Sequence, residues 1–312
     1  MKKLLMFFLV VGLITILGAC GSGASSSSSN SQGSDHKGWP KQMTLVQMPN
    51  ENNPSAGTAM YPALQKYLSK KLGIKVNEYQ SSGGYAPGIE ALASGKLDVM
   101  VASPMSYFQA NKLAGADLLV TPQVKGQEYY TVFITKKDNK DINTISDLRG
   151  KSFAFVDAAS SSGYLYPKAT LVQKLKLNPD LVEKSGYFFK NVTFSQSHPN
   201  SVEGVVMGDY DAAAVAKGEI DSMIQSGTIK KDDIKIIGRT DNIPDATYII
   251  RKNLPNSFKK AVRNAFVSFH NKAYFKAVHN DPNARFVATN QNFYDPALKM
   301  LGSIHALKGA TK

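Results

Sequence analysis

From about residue 43 the chain alternates short apolar runs with longer helix-periodic ones, and near residue 129 the alternation begins again. In the first series "MTLVQMP" (43–49), "IKVNEYQ" (74–80), "LDVMVAS" (97–103) and "DLLVTPQV" (117–124) read as strands. Between the first two, Met60, Leu64, Tyr67, Leu68 and Leu72 fall on one helical face. The second series holds strand-like "YYTVFITKK" (129–137), "SFAFVD" (152–157), "YFFKNVTFS" (187–195), a small-residue run at "AAAVA", "IKIIGRT" (234–240) and "ATYIIRKNL" (246–254). Strands that alternate with helices imply mostly parallel sheets covered on both faces. Phe258, Val262, Phe266, Phe269 and Ala273 then repeat at spacings of four and three, so the end reads as helical. The expectation is an α/β fold of two Rossmann-like βα lobes facing each other as a clamshell, with the last helices returning to the first lobe. Ligands of open α/β sheets bind beyond the carboxyl ends of the strands, which here would line one shared cleft.

A chain of 312 residues is long enough for two such lobes. Its start reads differently. Lys2 and Lys3 precede "LLMFFLVVGLITIL", an apolar run short for a membrane span, and "LGAC" follows at 17–20. That pattern resembles the lipobox of bacterial lipoprotein signals, which implies a signal peptide over 1–19 and a lipid on Cys20, the only cysteine. No disulfide within the chain and no cysteine metal cluster is expected. Residues 20–38 are rich in Ser and Gly and read as a disordered tether. Anchor, tether and body describe a protein held at the outer, extracytoplasmic face of a cell membrane. The net charge of +13 comes from scattered lysines such as "KKLGIK", "KKDNKD" and "KKDDIK", without a basic stripe or interleaved aromatics, and argues against a nucleic-acid partner.

The stretch "VDAASSSGYLYPKATL" (156–171) places three hydroxyls where a strand hands over to a helix. A helix N-terminus carries unpaired N–H groups and partial positive charge, and serine hydroxyls add donors for an anion. The same pattern also suits an N-cap with spare loop serines. The local sequence leaves both readings open.

"DAASSSGYLYP" resembles the D-x-x-S-[ST]-S-G-[YF]-x-x-P segment of the phosphonate/phosphite/phosphate solute-binding lipoproteins of bacterial ABC importers. In the same order, "PNENN", "YAPGIEALASGKLDVMVASPMSY", "SHPNSVEGVVMGDYDAAAV" and "IPDATYIIRKNL" resemble further segments of that family, from about residue 43 to residue 254. The resemblance implies a type II periplasmic-binding-protein clamshell with a two-strand hinge crossing near 127–132 and 243–248. Lobe 1 is then expected over 39–130 plus 245–312 and lobe 2 over 131–244. It also implies that Ser160, Ser161 and Ser162, with amides near Gly163, bind a phosphorus oxyanion, helped by Tyr85 from the other lobe and His198 at the start of its helix. Ser103, Ser106 and Tyr107 either line the first lobe or only cap "PMSYFQANKL". Where family members that bind aminoalkyl phosphonates carry carboxylates for the amine, this chain has Asp245 then Ala246, one residue out of the expected register, and Glu219 near the other position. A compact ligand such as phosphite, methylphosphonate or phosphate fits at least as well.

The resemblance implies a binding module that delivers its ligand to a membrane permease driven by a separate ATPase. The chain itself has no G-x-x-x-x-G-K-[ST] segment. A surface-anchored hydrolase using Ser162 and His198 is the enzyme alternative, but "ASSSG" has Ala159 where G-x-S-x-G needs glycine. His36, His198, His270, His279 and His305 show no H-x-x-x-H spacing, so neither a metal nor another cofactor is expected. A sensor of the same fold, passing occupancy to a signalling partner, would carry the same sequence features.

Overall fold

The computed structural model describes residues 37–46, 54–79, 85–126 and 128–305. The signal, Cys20 and nearly all of the tether, together with "PNENN" and the loop before Tyr85, lie outside the described residues. The first series consists of β1 (Gln42–Val46), α1 (Pro54–Leu72), β2 (Lys75–Glu78), α2 (Ala86–Ala93), β3 (Val99–Ala102), α3 (Pro104–Ala114) and β4 (Ala116–Gln123). The second consists of β5 (Thr131–Lys136), β6 (Ser152–Phe155), a π-turn at Ser161–Leu165, α4 (Tyr166–Leu175), β7 (Asn191–Phe194), α5 (His198–Met207), β8 (Ala212–Ala216), α6 (Lys217–Gln225) and β9 (Ile234–Arg239). The chain ends with β10 (Thr247–Arg251), α7 (Asn256–Val267), α8 (Lys272–His279), β11 (Arg285–Ala288) and α9 (Asp295–Ser303).

The strands form two sheets, ordered β11-β4-β10-β3-β1-β2 and β7-β6-β8-β5-β9. The chain passes from the first to the second between Gln123 and Thr131 and returns between Arg239 and Thr247. These passages are bonded to each other: the Ile243 N–H donates to the Tyr129 carbonyl at 2.7 Å.

Most strands of each sheet run the same way, β1–β4 in the first and β6–β9 in the second, but the sheets are mixed rather than wholly parallel. Strands β1, β2 and β3 are parallel, as are β6, β7 and β8. By contrast β10 is antiparallel to β3 and β4, and β5 is antiparallel to β8 and β9. The reason is directional. A strand arriving from the other lobe enters at the carboxyl ends of the parallel strands, and so must run against them. The reading of the C-terminus as wholly helical also fails at β11, a four-residue strand antiparallel to β4 that is too short to show a period.

Apolar periodicity explains the packing. Leu64, Leu68 and Leu72 of α1 join Met43, Leu45 and Val99 in the first core, along with Phe258, Val262 and Phe266 of α7 and Tyr274 and Phe275 of α8. β8 reads AAAVA and is buried throughout, as expected for a strand covered on both faces. Helix α3 starts with Ser103 as N-cap and Pro104 in the first turn. Helix α5 starts at Ser197–His198–Pro199 and ends at Gly208, whose φ of 89° suits glycine. The last helix does not stay with the first sheet: Leu301 and the following Ile304 are buried in the core of the second, and His305 Nδ1 lies 3.1 Å from Asp180.

Candidate functional site

Phe155 ends β6, and the chain turns through Asp157 to the serines. Ser160 is an N-cap: its Oγ accepts the Gly163 N–H at 2.9 Å. The residues that follow do not open an α-helix directly. Leu165 N–H donates to Ser160 O and Tyr166 N–H to Ser161 O, both i→i+5 bonds that define the π-turn. Glycine is required at 163 by space, since a Cβ there would lie 2.3 Å from Val156 Cβ. The Gly163 carbonyl also accepts the Val156 N–H at 2.9 Å, closing the turn onto the strand end.

The three serines have three different roles. Ser160 caps its own turn. Ser161 reaches the first lobe: its Oγ accepts the Met105 N–H at 2.9 Å and donates to Ser103 Oγ at 3.1 Å. It therefore bonds one of the otherwise unpaired amides at the N-terminus of α3. Ser162 faces the second lobe's own elements. Its Oγ accepts from the Tyr129 hydroxyl at 2.7 Å and lies 3.1 Å from His198 Nε2. Its carbonyl, released from helical bonding by the π-turn, accepts from Thr131 Oγ1 at 2.6 Å.

His198 is 4% exposed, and burial alone lowers its pKa to about 4, so the ring is neutral at ordinary pH. Its Nδ1 accepts the Ala216 N–H at 3.3 Å. The proton consequently sits on Nε2 and is donated to Ser162. Both lone-pair directions of the Ser162 hydroxyl are thereby occupied, and its own proton is used by neither bond. Such a hydroxyl can only donate to a further partner, and a partner rich in acceptors is what it suits. A donating imidazolium, by contrast, does not fit this environment.

The other sequence-predicted residues separate into those at the joint and those beside it. Ser103 and Ser106 are at the joint, with Ser103 Oγ also 3.4 Å from the Ala159 carbonyl and 3.2 Å from Ser106 Oγ. Tyr85 precedes α2 and packs in one apolar cluster with Ile89, Ala102, Tyr107 and, from the serine segment, Ala159. Tyr107 is a packed ring between Phe108 and Tyr294, with burial as the first cause of its raised pKa. Asp245 lies at the return passage with an exposed side chain, yet the protein around it raises its carboxyl pKa, as expected of a group that solvent reaches only from one side. Glu219 sits in the first turn of α6.

Sequence reasoning missed Tyr129, Thr131, Met105 and Tyr294. The Tyr294 hydroxyl points its proton toward the Ala102 (3.0 Å) and Asp245 (2.9 Å) carbonyls and lies 3.2 Å from Thr247 Oγ1, tying the C-terminal segment to the return passage. Its only sequence signal is an aromatic pair at 293–294. Tyr129 and Thr131 stand at the start of a strand-like run, and nothing local distinguishes them from packing residues.

Two βα lobes meeting at a joint of hydroxyls, amides and one neutral imidazole define a class, the type II periplasmic binding proteins. Solved structures share the fold. A binding-protein component of an ABC phosphonate transporter from Pseudomonas aeruginosa matches with a TM-score of 0.73 at 19% identity, covering 87% of this chain and 89% of that one. The methylphosphonate complex of PhnD1 from Prochlorococcus marinus matches with a TM-score of 0.70 at 21% identity, covering 85% and 99%. The phosphate-import protein PhnD of Mycolicibacterium smegmatis is 29% identical over 235 residues, 72% of this chain and 71% of that protein. Residues 47–294 match the family described as the ABC transporter, phosphonate, periplasmic substrate-binding protein. The chain belongs to that family, an extracytoplasmic family of substrate-binding proteins.

Proposed function

We propose that this chain captures a compact phosphorus oxyanion between its lobes and delivers it to a membrane permease powered by a separate ATPase subunit. The observation that carries the reading is Ser162. Its hydroxyl accepts from Tyr129 and His198, so its proton is left for an acceptor on the ligand. Ser103 and the Met105 amide, both met by Ser161 from the second lobe, supply the first-lobe side of the site, where the N-terminus of α3 favours negative charge. Relatives with this fold are named for phosphate import or were solved with methylphosphonate, which supports the class without choosing within it.

In this reading the first lobe comprises 39–130 with 245–312, the last helix of which packs on the second lobe, 131–244, and ligand draws the two together. Cys20 carries the lipid, and residues 20–38 tether the body to the membrane. Catalysis is not part of the reading. Ser162 and His198 are 3.1 Å apart, as a nucleophile and its base would be, but the proton lies on the wrong atom. A base must accept the serine proton, whereas Nε2 donates, because Nδ1 accepts the Ala216 N–H instead of donating to a carboxylate.

Calorimetric titration of the full-length protein with phosphite, methylphosphonate, phosphate, 2-aminoethylphosphonate and sulfate tests the proposal. Saturable binding of at least one phosphorus oxyanion, weakened by Ser162→Ala, is expected. Binding of none of them, or turnover of p-nitrophenyl phosphate abolished by the same variant, would overturn it.

A further inference from the structure

Behind the π-turn, away from the hydroxyls described above, Tyr164 meets Lys168 of α4 and Glu183. The Tyr164 hydroxyl donates to Glu183 Oε1 at 2.5 Å. The Lys168 ammonium bonds the same carboxylate oxygen and lies 3.2 Å from the Tyr164 hydroxyl. Lys168 is 5% exposed, while Glu183 is half-buried. The Tyr164 ring is wedged against Phe155 at the end of β6 and Phe194 at the end of β7, with centroids 5.5 and 5.8 Å away.

A lysine ammonium is costly to bury, and apolar side chains of similar volume commonly serve stability as well or better. This wall already contains Phe155 and Phe194, so packing alone does not call for a charge. The best-attested use of a buried ion pair is to specify a register. The adjacent turn has a register to specify. An α-register would give the Leu165 N–H to Ser161 O and the Tyr166 N–H to Ser162 O, in place of the observed Ser160 O and Ser161 O. Ser162 O, now the acceptor for Thr131, would take the Tyr166 N–H as well, and residues on either side of the change would rotate relative to one another by about 100°. Ser162 and Tyr164 sit inside the five residues affected. Tyr164 thus ties the turn from behind to the helix that follows, its partner Lys168 lying four residues on, in the first turn of α4.

We propose that Tyr164, Lys168 and Glu183 act as positioning residues, a lock that holds the serine turn in its π register so that Ser161 and Ser162 face the joint between the lobes. The consequence for binding rests on the ligand reading above; the register itself does not.

The test is the full-length protein with Tyr164→Phe, Lys168→Met and Glu183→Gln combined, which removes every charge and the hydroxyl while keeping the volumes. A crystal structure of the variant shows which carbonyl each of the Leu165 and Tyr166 N–H groups meets, and so reports the two i→i+5 bonds directly. In the variant the two N–H groups are expected to move from Ser160 O and Ser161 O to the α-register acceptors Ser161 O and Ser162 O. Affinity for methylphosphonate or inorganic phosphate is expected to fall about tenfold, the equivalent of one hydrogen bond, with little change in melting temperature. A merely structural cluster would lower the melting temperature and leave affinity alone. Unchanged i→i+5 bonds at both amides overturn the lock, and a changed register with unchanged affinity overturns its positioning role. If the wild type binds no phosphorus oxyanion, the ligand reading fails while the variant's structure still decides the register. Should the triple variant not fold, Tyr164→Phe alone, which removes one oxygen, decides on the same two amides.

Discussion

His198→Gln should alter the acid stability of the protein in a defined window. In the wild type, burial holds the ring neutral with a pKa of about 4, against about 6.5 for an exposed histidine. Between these values the unfolded chain binds a proton that the folded protein refuses. Stability from this source is therefore complete above about pH 6.5 and is lost as pH falls toward 4, at up to about 1.4 kcal/mol per pH unit. The whole loss comes to about 3 kcal/mol, a large part of a typical folding free energy. Glutamine cannot titrate and keeps an N–H donor for Ser162. His279 has its pKa lowered to about 4 by burial among Tyr274, Phe275 and Phe286, so it weakens both proteins in the same window and cancels in the difference. The assay is urea unfolding of both proteins from pH 8 to pH 4.5. The wild type's advantage, whatever its size at pH 8, should shrink steadily below pH 6.5. An advantage that stays constant down to pH 4.5 would refute the neutral, buried imidazole. The same reasoning predicts that the ratio of wild-type to variant affinity for phosphate is flat from pH 6.5 to 8, because dividing the two affinities removes the ligand's own ionisation.

Gly163→Ala should cost about 1–3 kcal/mol of stability, read as a lowered melting temperature, because the new Cβ meets Val156 at 2.3 Å in backbone that is bonded on both sides; an unchanged melting temperature would mean that the turn gives way easily. Cys20→Ser should release the protein from membranes or leave it unprocessed in cell fractionation, and normal membrane retention would rule out the anchor. Saturating ligand should reduce the radius of gyration in small-angle scattering by closing the lobes, and no change alongside calorimetrically proven binding would argue against hinged closure.

The alternation of strand and helix was legible because it depends on local apolar period, and the family-like segments located the serine turn, His198 and the return strand. What the sequence hid were pairings across distance. The aspartates of two of those segments are an instance: Asp98 accepts the Thr44 N–H at 2.7 Å and pairs with Arg251 at 2.6 Å, while Asp211 accepts from the Ser152 N–H and hydroxyl at 2.7 Å. Both hold neighbouring strands together, and neither meets the serine joint through these bonds. Antiparallel entry of β5 and β10 depends on where each strand comes from, which no window of residues records. Tyr129 and Tyr294 act through hydroxyls whose partners are 33 and up to 192 residues away. The π-turn was hidden for a different reason: Ser160, Pro167 and the apolar run of α4 are what an α-helix start would also show, and the extra residue is visible only in which carbonyl each amide meets.

The three serines should differ in what they contribute to binding, and the order follows from the bonds that each already makes. Ser160 Oγ is committed to the Gly163 N–H within its own turn, so Ser160→Ala should cost about 0.5–2 kcal/mol of stability and leave affinity nearly unchanged. Ser161 already accepts from Met105 and donates to Ser103, so a ligand oxygen there replaces existing bonds. Only the difference counts: a neutral bond contributes about 0.5–1.5 kcal/mol net and a charge-assisted one about 1.5–3, leaving about 1 kcal/mol, or roughly fivefold. Ser162 accepts twice and gives its proton to neither partner, so a bond to an oxyanion displaces nothing in the protein. Its removal costs the full charge-assisted bond of about 1.5–3 kcal/mol, more than tenfold in affinity. Calorimetry on the three single alanine variants should therefore rank the losses Ser162, then Ser161, then Ser160. Equal losses would mean that the turn rearranges when ligand enters. A largest loss at Ser160 would mean that the cap itself is given up to the ligand, and the division of roles drawn from these bonds would be wrong.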